Sequence, residues 1–205
     1  DKLLYEIKSL KKNLAYNPGL VDEIDTSSRK FYSKLSSISE EEKILGVINN
    51  EESKTQEYKE TFAYNKMSNE RKDERLIEAS TKSIVGFINA EGGKLLIGIH
   101  DSKQIIGIDE EIKRHGSIDK FKLFFADIIE KRIGSVFNTH FDFKIHEVLG
   151  KKVLIADCRQ AIDEDIHCFY MGKHYYVRQN PKTVLLQGED LQRYLKARAK
   201  RLKNL

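Results

Sequence analysis

The sequence predicts an α+β fold with a mixed, largely antiparallel sheet flanked by helices and an N-terminal helical appendage. Helical and strand patterns do not alternate regularly along the 205 residues, as they would in a protein built from βαβ units. A long amphipathic helix precedes a glycine pair and an apolar strand, and later segments alternate in polarity as strands do. The chain is therefore predicted to divide into a helical appendage, residues 1–50, and a mixed domain, residues 51–205.

The first 50 residues carry apolar side chains at helical spacing. Two helices are expected over residues 3–14 and 20–38, separated by the turn-forming Asn17-Pro18-Gly19. Ser39 is positioned to cap a short third helix that begins with three glutamates. We expect this appendage either to pack on the main domain or to mediate homo-oligomerisation.

The middle of the chain contains the clearest helix and the most apolar strand. A strand is expected over Gln56–Phe62 and a helix over Glu70–Ala90. Gly92-Gly93 ends that helix, because glycine tolerates the left-handed backbone that a helix stop requires. The strand Lys94–His100 is apolar on both faces, which predicts a central place in the sheet, and it should pair with Gln104–Asp109.

The second half of the domain is predicted to contain a capped helix, several strands and a final helix. Ser117 caps an amphipathic helix that turns Phe121, Phe125 and Ile129 inward. The remaining elements are expected as a strand starting at Phe141, a strand over Val153–Cys158, a hairpin of Ile166–Met171 with His174–Arg178, and a helix over Glu189–Lys203.

Composition and cysteine usage indicate an intracellular protein. No apolar run approaches the roughly 20 residues of a membrane span, so no membrane partner is expected. No signal peptide is visible at Asp1, and a cytoplasmic location is expected. The two cysteines, Cys158 and Cys168, fit no C-x-x-C pattern and are expected as reduced thiols in the core.

The net charge of +4 is concentrated at one end of the chain. Residues 1–50 carry eight basic and eight acidic side chains, and residues 51–188 carry 22 of each. Residues 189–205 carry six basic and two acidic side chains, and so account for the whole excess. A positive end on a neutral body favours an anionic partner, although a solvated helix face is an equally simple explanation.

Three carboxylates are placed where a sheet could bring them together. Glu57 lies in a predicted strand with Lys59 on the same face, and Asp101 follows the central strand. Such carboxylates could hold Mg²⁺ or Mn²⁺, which prefer oxygen ligands. Glu52 is five residues from Glu57, so the two converge only if Glu52 precedes the strand on a turn or a helix end. From the residues alone, a metal site and ordinary surface charges both remain open.

The motifs around these acids resemble those of the Schlafen-type AlbA_2 domain. Glu52-Ser53-x-x-x-Glu57-Tyr58-Lys59 is similar to the family's E-S-x-x-x-E-F-K motif. Residues 88–101 are similar to its N-T-x-G-G-x-L-x-I-G-V-x-D signature, except that Ala90 replaces the usual threonine and His100 a frequent aspartate. Tyr175-Tyr176-Val177-Arg178, followed by Thr183, resembles the closing Y-x-R-x-x-x-x-T segment.

The resemblance implies a nucleic-acid-facing domain over about residues 50–196. In Schlafen ribonucleases of this kind, three acids form a metal-dependent RNA-cleaving centre, and they correspond to Glu52, Glu57 and Asp101. Lys59 would stabilise the phosphate. No nucleotide cofactor is expected, because Gly92-Gly93-Lys94 lacks the spacing of a phosphate-binding loop.

Two segments are candidates for contacting nucleic acid. On the C-terminal helix, one stripe of basic residues is spaced by three, four and three positions: Arg193, Lys196, Lys200 and Lys203. In the predicted hairpin, Tyr176 could stack on a base while Arg178 holds a phosphate. The competing interpretation of Tyr176 is a packed core residue.

The sequence thus favours a nucleic-acid-processing domain, with a metal-dependent endoribonuclease acting on structured RNA such as tRNA as the leading expectation. The alternative is a non-catalytic DNA- or RNA-binding module of a regulatory or defence protein. A third hypothesis is an interaction module that acts through the N-terminal helices.

Overall fold

The computed structural model describes residues 26, 29, 30, 33, 40–64 and 72–203. The chain falls into two compact units, Asp1–Ile44 and Leu45–Leu205. The four isolated positions between residues 26 and 33 are helical, but the predicted helix over residues 3–14 and any homo-oligomer contact through the appendage lie outside the described residues. Residues 40–49 are helical, as expected for the third predicted helix.

A four-stranded sheet forms the centre of the larger unit. Its strands are β1 (Gln56–Lys59), β2 (Gly93–Ile97), β3 (Phe141–Val148) and β4 (Lys151–Cys158), in the spatial order β1-β2-β4-β3. β1 runs parallel to β2, and the other pairs are antiparallel. β2 is interior, which confirms the central position predicted from its two apolar faces, whereas β1 is an edge strand.

Helices cover the sheet and complete the α+β fold that the sequence predicts. They are α1 (Glu74–Asn89), α2 (Asp109–His115), α3 (Ile118–Ile133) and α4 (Gly188–Leu202), with a short 3-10 helix over Ser135–Thr139. The core between α1, α3 and the sheet is built from fully buried side chains such as Phe87, Leu95, Phe125 and Leu154. Ser117 caps α3 as predicted, since its side chain accepts a hydrogen bond from the Lys120 backbone N–H.

A second, two-stranded sheet packs on α1. It consists of β5 (Tyr175–Arg178) and β6 (Thr183–Leu186). At Gly86 the helix comes so close that a Cβ atom would lie 3.0 Å from Thr183 Cγ2 and 3.1 Å from the Arg178 backbone nitrogen. The side chain of Arg178, at the end of β5, reaches the segment that leads into β1.

Two predicted pairings are present only as isolated antiparallel bridges, so the strands expected there are wrong in extent. Gln104–Asp109 is not a strand: only an isolated bridge joins Ile99 to Ile105, and α2 begins at Asp109. Gly98 and Gly107 have φ values of +100° and +80°, which turn the chain out of the extended conformation. The predicted hairpin is likewise reduced to one bridge between Tyr170 and His174, and β5 pairs with β6 instead.

β1 is also shorter than predicted, because its continuation is held by a side chain instead of a strand. The backbone N–H groups of Phe62, Ala63 and Tyr64 donate to the Glu111 carboxylate of α2 at 3.1, 2.8 and 2.9 Å. Glu111 is buried, so its charge is satisfied by these donors and by the Thr61 hydroxyl. No local pattern predicts this contact, because it joins residues almost 50 positions apart.

The cysteine prediction is confirmed, since Cys158 and Cys168 are free and buried. Burial raises the pKa of both thiols far above the ordinary range. Among the described residues, no helix is long and apolar enough to cross a bilayer.

Candidate functional site

A tight turn places Glu52 beside β1 and outside the strand. The Ser53 backbone N–H donates to the Gln56 carbonyl at 3.0 Å, which reverses the chain just before β1 begins. The Glu52 carboxylate then accepts a hydrogen bond from the Tyr58 backbone N–H at 3.0 Å. Because β1 is an edge strand, this N–H has no strand partner, and Glu52 takes that place. The structure therefore meets the condition for Glu52 to approach Glu57, which a continuous strand would have prevented.

Glu57 is held between two cations. Its Oε1 lies 2.5 Å from Lys59 Nζ, and its Oε2 lies 2.5 Å from Arg178 Nη1. Lys59 Nζ also donates to the Tyr58 carbonyl at 2.8 Å. Only 12% of the Glu57 side chain is exposed, so these pairs are poorly screened by solvent.

Arg178 reaches this turn from β5 as a buried structural side chain. Its Nε donates to the Ser53 carbonyl at 3.0 Å and its Nη2 to the Gln56 carbonyl at 2.9 Å. The guanidinium also lies over the Phe87 ring, 5.4 Å from the centroid. With 1% of the side chain exposed, Arg178 is placed to hold the Glu57 turn, which differs from the surface position that phosphate binding would require.

Tyr176 is also an interior residue. Its exposed fraction is 8%, Lys82 Nζ lies 5.0 Å from its ring centroid, and Tyr170 packs edge-on against it. The ring therefore contributes to the core, and the competing sequence interpretation of a packed tyrosine describes it better than a base-stacking platform.

Asp101 lies in the exposed turn that follows β2. In the described part of the chain its carboxylate makes no hydrogen bond or ion pair. His100, beside it, is held by the Ser102 backbone N–H, which donates to its Nδ1 at 3.0 Å, and lies 3.4 Å from Glu60. The adjacent Lys103 donates to the Asn49 carbonyl at 2.9 Å, which fixes the base of the turn.

The three acids do not form a metal-binding group as they stand. Within the described residues, no set of three or more His, Cys, Asp or Glu side chains is arranged to hold a metal ion. The donor chemistry of Glu52, Glu57 and Asp101 suits Mg²⁺ or Mn²⁺, but Glu57 is already neutralised by Lys59 and Arg178. The present arrangement of these side chains therefore does not fit a bound divalent ion.

The basic stripe of α4 is exposed along its length. Arg193, Lys196, Lys200 and Lys203 all face solvent. Arg193 pairs with Glu189 at 2.6 Å, and Lys203 pairs with Glu164 at 3.2 Å. Lys196 and Lys200 form no ion pair with any described residue. These two lysines are thus the members of the stripe whose charges are not already matched.

A buried arginine anchors the opposite face of α4. Arg198 is 2% exposed, and its guanidinium donates to the backbone carbonyls of Ala161, Asp163 and Glu164. Its position among the leucines of the helix was the only sign of this role in the sequence. This anchor determines which face of α4 is exposed, and the exposed face is the one that carries the basic stripe.

Comparisons with known proteins agree with this fold. The family model described as Schlafen, AlbA_2 matches residues 52–187, more than half of the 205-residue chain. Among curated proteins, none matches the chain. The fold is similar to the crystal structure of the DIP2311 protein from Corynebacterium diphtheriae, with a TM-score of 0.51 and 16% sequence identity. The match covers 81% of this chain and 33% of that one, so this chain spans about a third of the DIP2311 chain.

Proposed function

Because the chain belongs to the Schlafen AlbA_2 family, we propose that its mixed domain binds RNA or DNA through the basic face of α4. The family indicates a nucleic-acid-related function. The observation that carries the proposal is the exposed row of Arg193, Lys196, Lys200 and Lys203, on the segment that holds the whole positive excess of the chain.

The spacing of this row suits a phosphate backbone. Its ten-residue span corresponds to about 15 Å of helix, with neighbouring cations about 5–6 Å apart. Side chains of this length can therefore reach several consecutive phosphates. Each phosphate neutralised in this way releases counterions, so binding should weaken steeply as salt rises.

Charge reversal of Lys196 and Lys200 tests the proposal without breaking an ion pair among the described residues. We expect Lys196→Glu with Lys200→Glu to weaken binding to single-stranded RNA at least tenfold and to reduce the slope of log K against log salt by about 1.4. The measurement is fluorescence anisotropy with labelled RNA and DNA across a salt series. Lys113→Glu with Lys120→Glu changes the net charge equally on exposed positions of α2 and α3, and should have a much smaller effect. Equal effects of the two pairs, or no binding by the native chain, would refute the proposal.

A second candidate function is a metal-dependent endoribonuclease acting on structured RNA such as tRNA. It is favoured by the positions of Glu52 and Glu57, which both lie beside the Tyr58 main chain. In such an enzyme Glu52, Glu57 and Asp101 would hold Mg²⁺ or Mn²⁺, and Lys59 would neutralise charge on the phosphate. Since Glu57 is occupied by two cations, the side chains would first have to rearrange.

Incubation of the full chain with tRNA and Mn²⁺ tests the second candidate. Cleavage by the native chain and its loss in Asp101→Ala are expected, because Asp101 is exposed and its substitution should leave the fold intact. Cleavage that persists in this variant, or no cleavage of any RNA or DNA, would eliminate the assignment while leaving nucleic-acid binding untouched.

A further inference from the structure

We propose that Lys59 acts as an internal cation that keeps divalent metal ions away from Glu57. Glu52, Glu57 and Asp101 have the ligand chemistry that suits a divalent metal ion, but their arrangement does not fit one. This role of Lys59 is independent of nucleic-acid binding by α4.

The Lys59 ammonium occupies the space that a metal ion would need. It lies 2.5 Å from Glu57 Oε1 and 2.8 Å from the Tyr58 carbonyl oxygen. A carboxylate oxygen and a backbone carbonyl are both ligand types that Mg²⁺ and Mn²⁺ accept. An ion coordinated by these oxygens would overlap the ammonium and would be repelled by its charge.

The second cation at Glu57 is fixed in place. Arg178 is 1% exposed, contacts the other carboxylate oxygen at 2.5 Å and is tied to two backbone carbonyls. Lys59, in contrast, is 27% exposed and has a flexible stem. Of the two cations, only Lys59 can therefore leave without disturbing the packing around β5.

The charge balance explains why Lys59 controls the access of a divalent ion to Glu57. With Lys59 and Arg178 both in place, their two positive charges exceed the single negative charge of Glu57. Without Lys59, Glu57 and Arg178 cancel, and the Glu52 carboxylate, which accepts from the Tyr58 backbone N–H, supplies a net negative charge nearby. The freed Oε1 and the Tyr58 carbonyl would then be open to a divalent ion.

Lys59→Met in the full chain tests this directly, because it removes the charge and keeps most of the stem. Mn²⁺ binding is measured as the loss of the electron paramagnetic resonance signal of free Mn²⁺. We expect Lys59→Met to bind Mn²⁺ at least about tenfold more tightly than the native chain. Lys54→Met is the matched control, since Lys54 is exposed, belongs to the same segment and carries the same charge. It should bind Mn²⁺ as the native chain does.

Adding Glu57→Gln to Lys59→Met should return Mn²⁺ affinity to the native level, because the amide oxygen can still accept from Arg178 but carries no charge. Circular dichroism confirms folding of each variant, and Lys59→Gln replaces Lys59→Met if the latter does not fold. Native-like affinity in the folded Lys59 variant, an equal gain in Lys54→Met, or a gain that survives Glu57→Gln would each overturn the proposal.

Discussion

Arg178 is the side chain on which the acidic turn most depends. Its guanidinium joins Glu57 to the carbonyls of Ser53 and Gln56 in the interior. We expect Arg178→Met to lower the free energy of unfolding by about 3–5 kcal/mol, because it breaks the ion pair of a buried guanidinium with Glu57 and removes its hydrogen bonds to the Ser53 and Gln56 carbonyls. Urea denaturation followed by circular dichroism measures this loss.

The control for Arg178 is Arg193→Met, which removes an arginine whose side chain is 72% exposed. Its cost should stay within about 0.5 kcal/mol, since an exposed pair spaced by four residues contributes little. A similar small cost for Arg178→Met would contradict the structural role given to Arg178.

The contacts of Arg178 show where sequence reasoning stops. The family motifs singled out Glu52, Glu57 and Arg178, and strand geometry required that Glu52 lie before the strand if it is to approach Glu57, which is where the structure places it. The ion pair between Glu57 and Arg178 could not be derived, because its partners are more than 120 residues apart and belong to different sheets. Local patterns predict which residues share a face, but they do not predict which face becomes the interior between two sheets.

The turn between α1 and β2 depends on Gly92, which can be compared with Gly150, a glycine of similar backbone conformation in an open environment. Gly92 has a φ of +79°, and an added Cβ would lie 2.7 Å from the Cys158 carbonyl oxygen of β4. Gly150, in the turn between β3 and β4, has a similar φ of +72° but nothing within 4 Å of the added Cβ.

Alanine at these two glycines should therefore have unequal costs. Gly150→Ala carries only the backbone strain, about 1 kcal/mol, whereas Gly92→Ala adds a steric conflict of about 1–3 kcal/mol. Midpoints of thermal or urea unfolding measure the difference. Equal destabilisation by both substitutions would show that contact with β4 does not constrain the turn.

Elements with a long, regular pattern were predicted most closely, whereas two of the short elements, α2 and β6, were missed. The helices α1, α3 and α4 each extend over 15 or 16 residues, and all of them were anticipated to within a few positions. α2 has only seven residues and β6 only four, too few for a period to emerge. Because β6 was not predicted, the preceding segment was the only partner available for β5, and the structure keeps just the Tyr170–His174 bridge of that pairing.

The larger unit carries exposed charges on α4 and, elsewhere, histidines that are partly buried. The basic stripe of α4 faces solvent, whereas several titratable groups elsewhere are partly shielded from solvent. The pKa values of His115, His140 and His167 are each lowered from the ordinary value, mainly because burial disfavours the charged imidazolium. For His140 and His167 a neighbouring arginine, Arg159 or Arg198, adds to the effect.

Because the pKa values of these histidines are lowered, we expect the free energy of unfolding to fall as the solution becomes mildly acidic. In the unfolded chain an imidazole takes up its proton near pH 6.5, whereas in the folded chain it does so only at lower pH. Between these two pKa values the unfolded state binds more protons, so the free energy of unfolding decreases as pH falls from about 6.5. The decrease from each histidine ends below its folded pKa and cannot exceed about 1.4 kcal/mol per pH unit.

Urea unfolding between about pH 7.5 and pH 5 measures this slope in a window where the carboxylates with lowered pKa values, Asp73, Glu74 and Asp109, remain ionised. His115→Phe tests one contribution, because phenylalanine can take the ring's place against Phe121 and Phe124 without titrating. We expect this variant to lose less stability than the native chain over the same range. A half-buried neutral imidazole must destabilise the fold when it is forced to take up a proton. A native stability that is flat or rises toward pH 5, or a variant with the native slope, would therefore contradict the lowered pKa values given to these histidines.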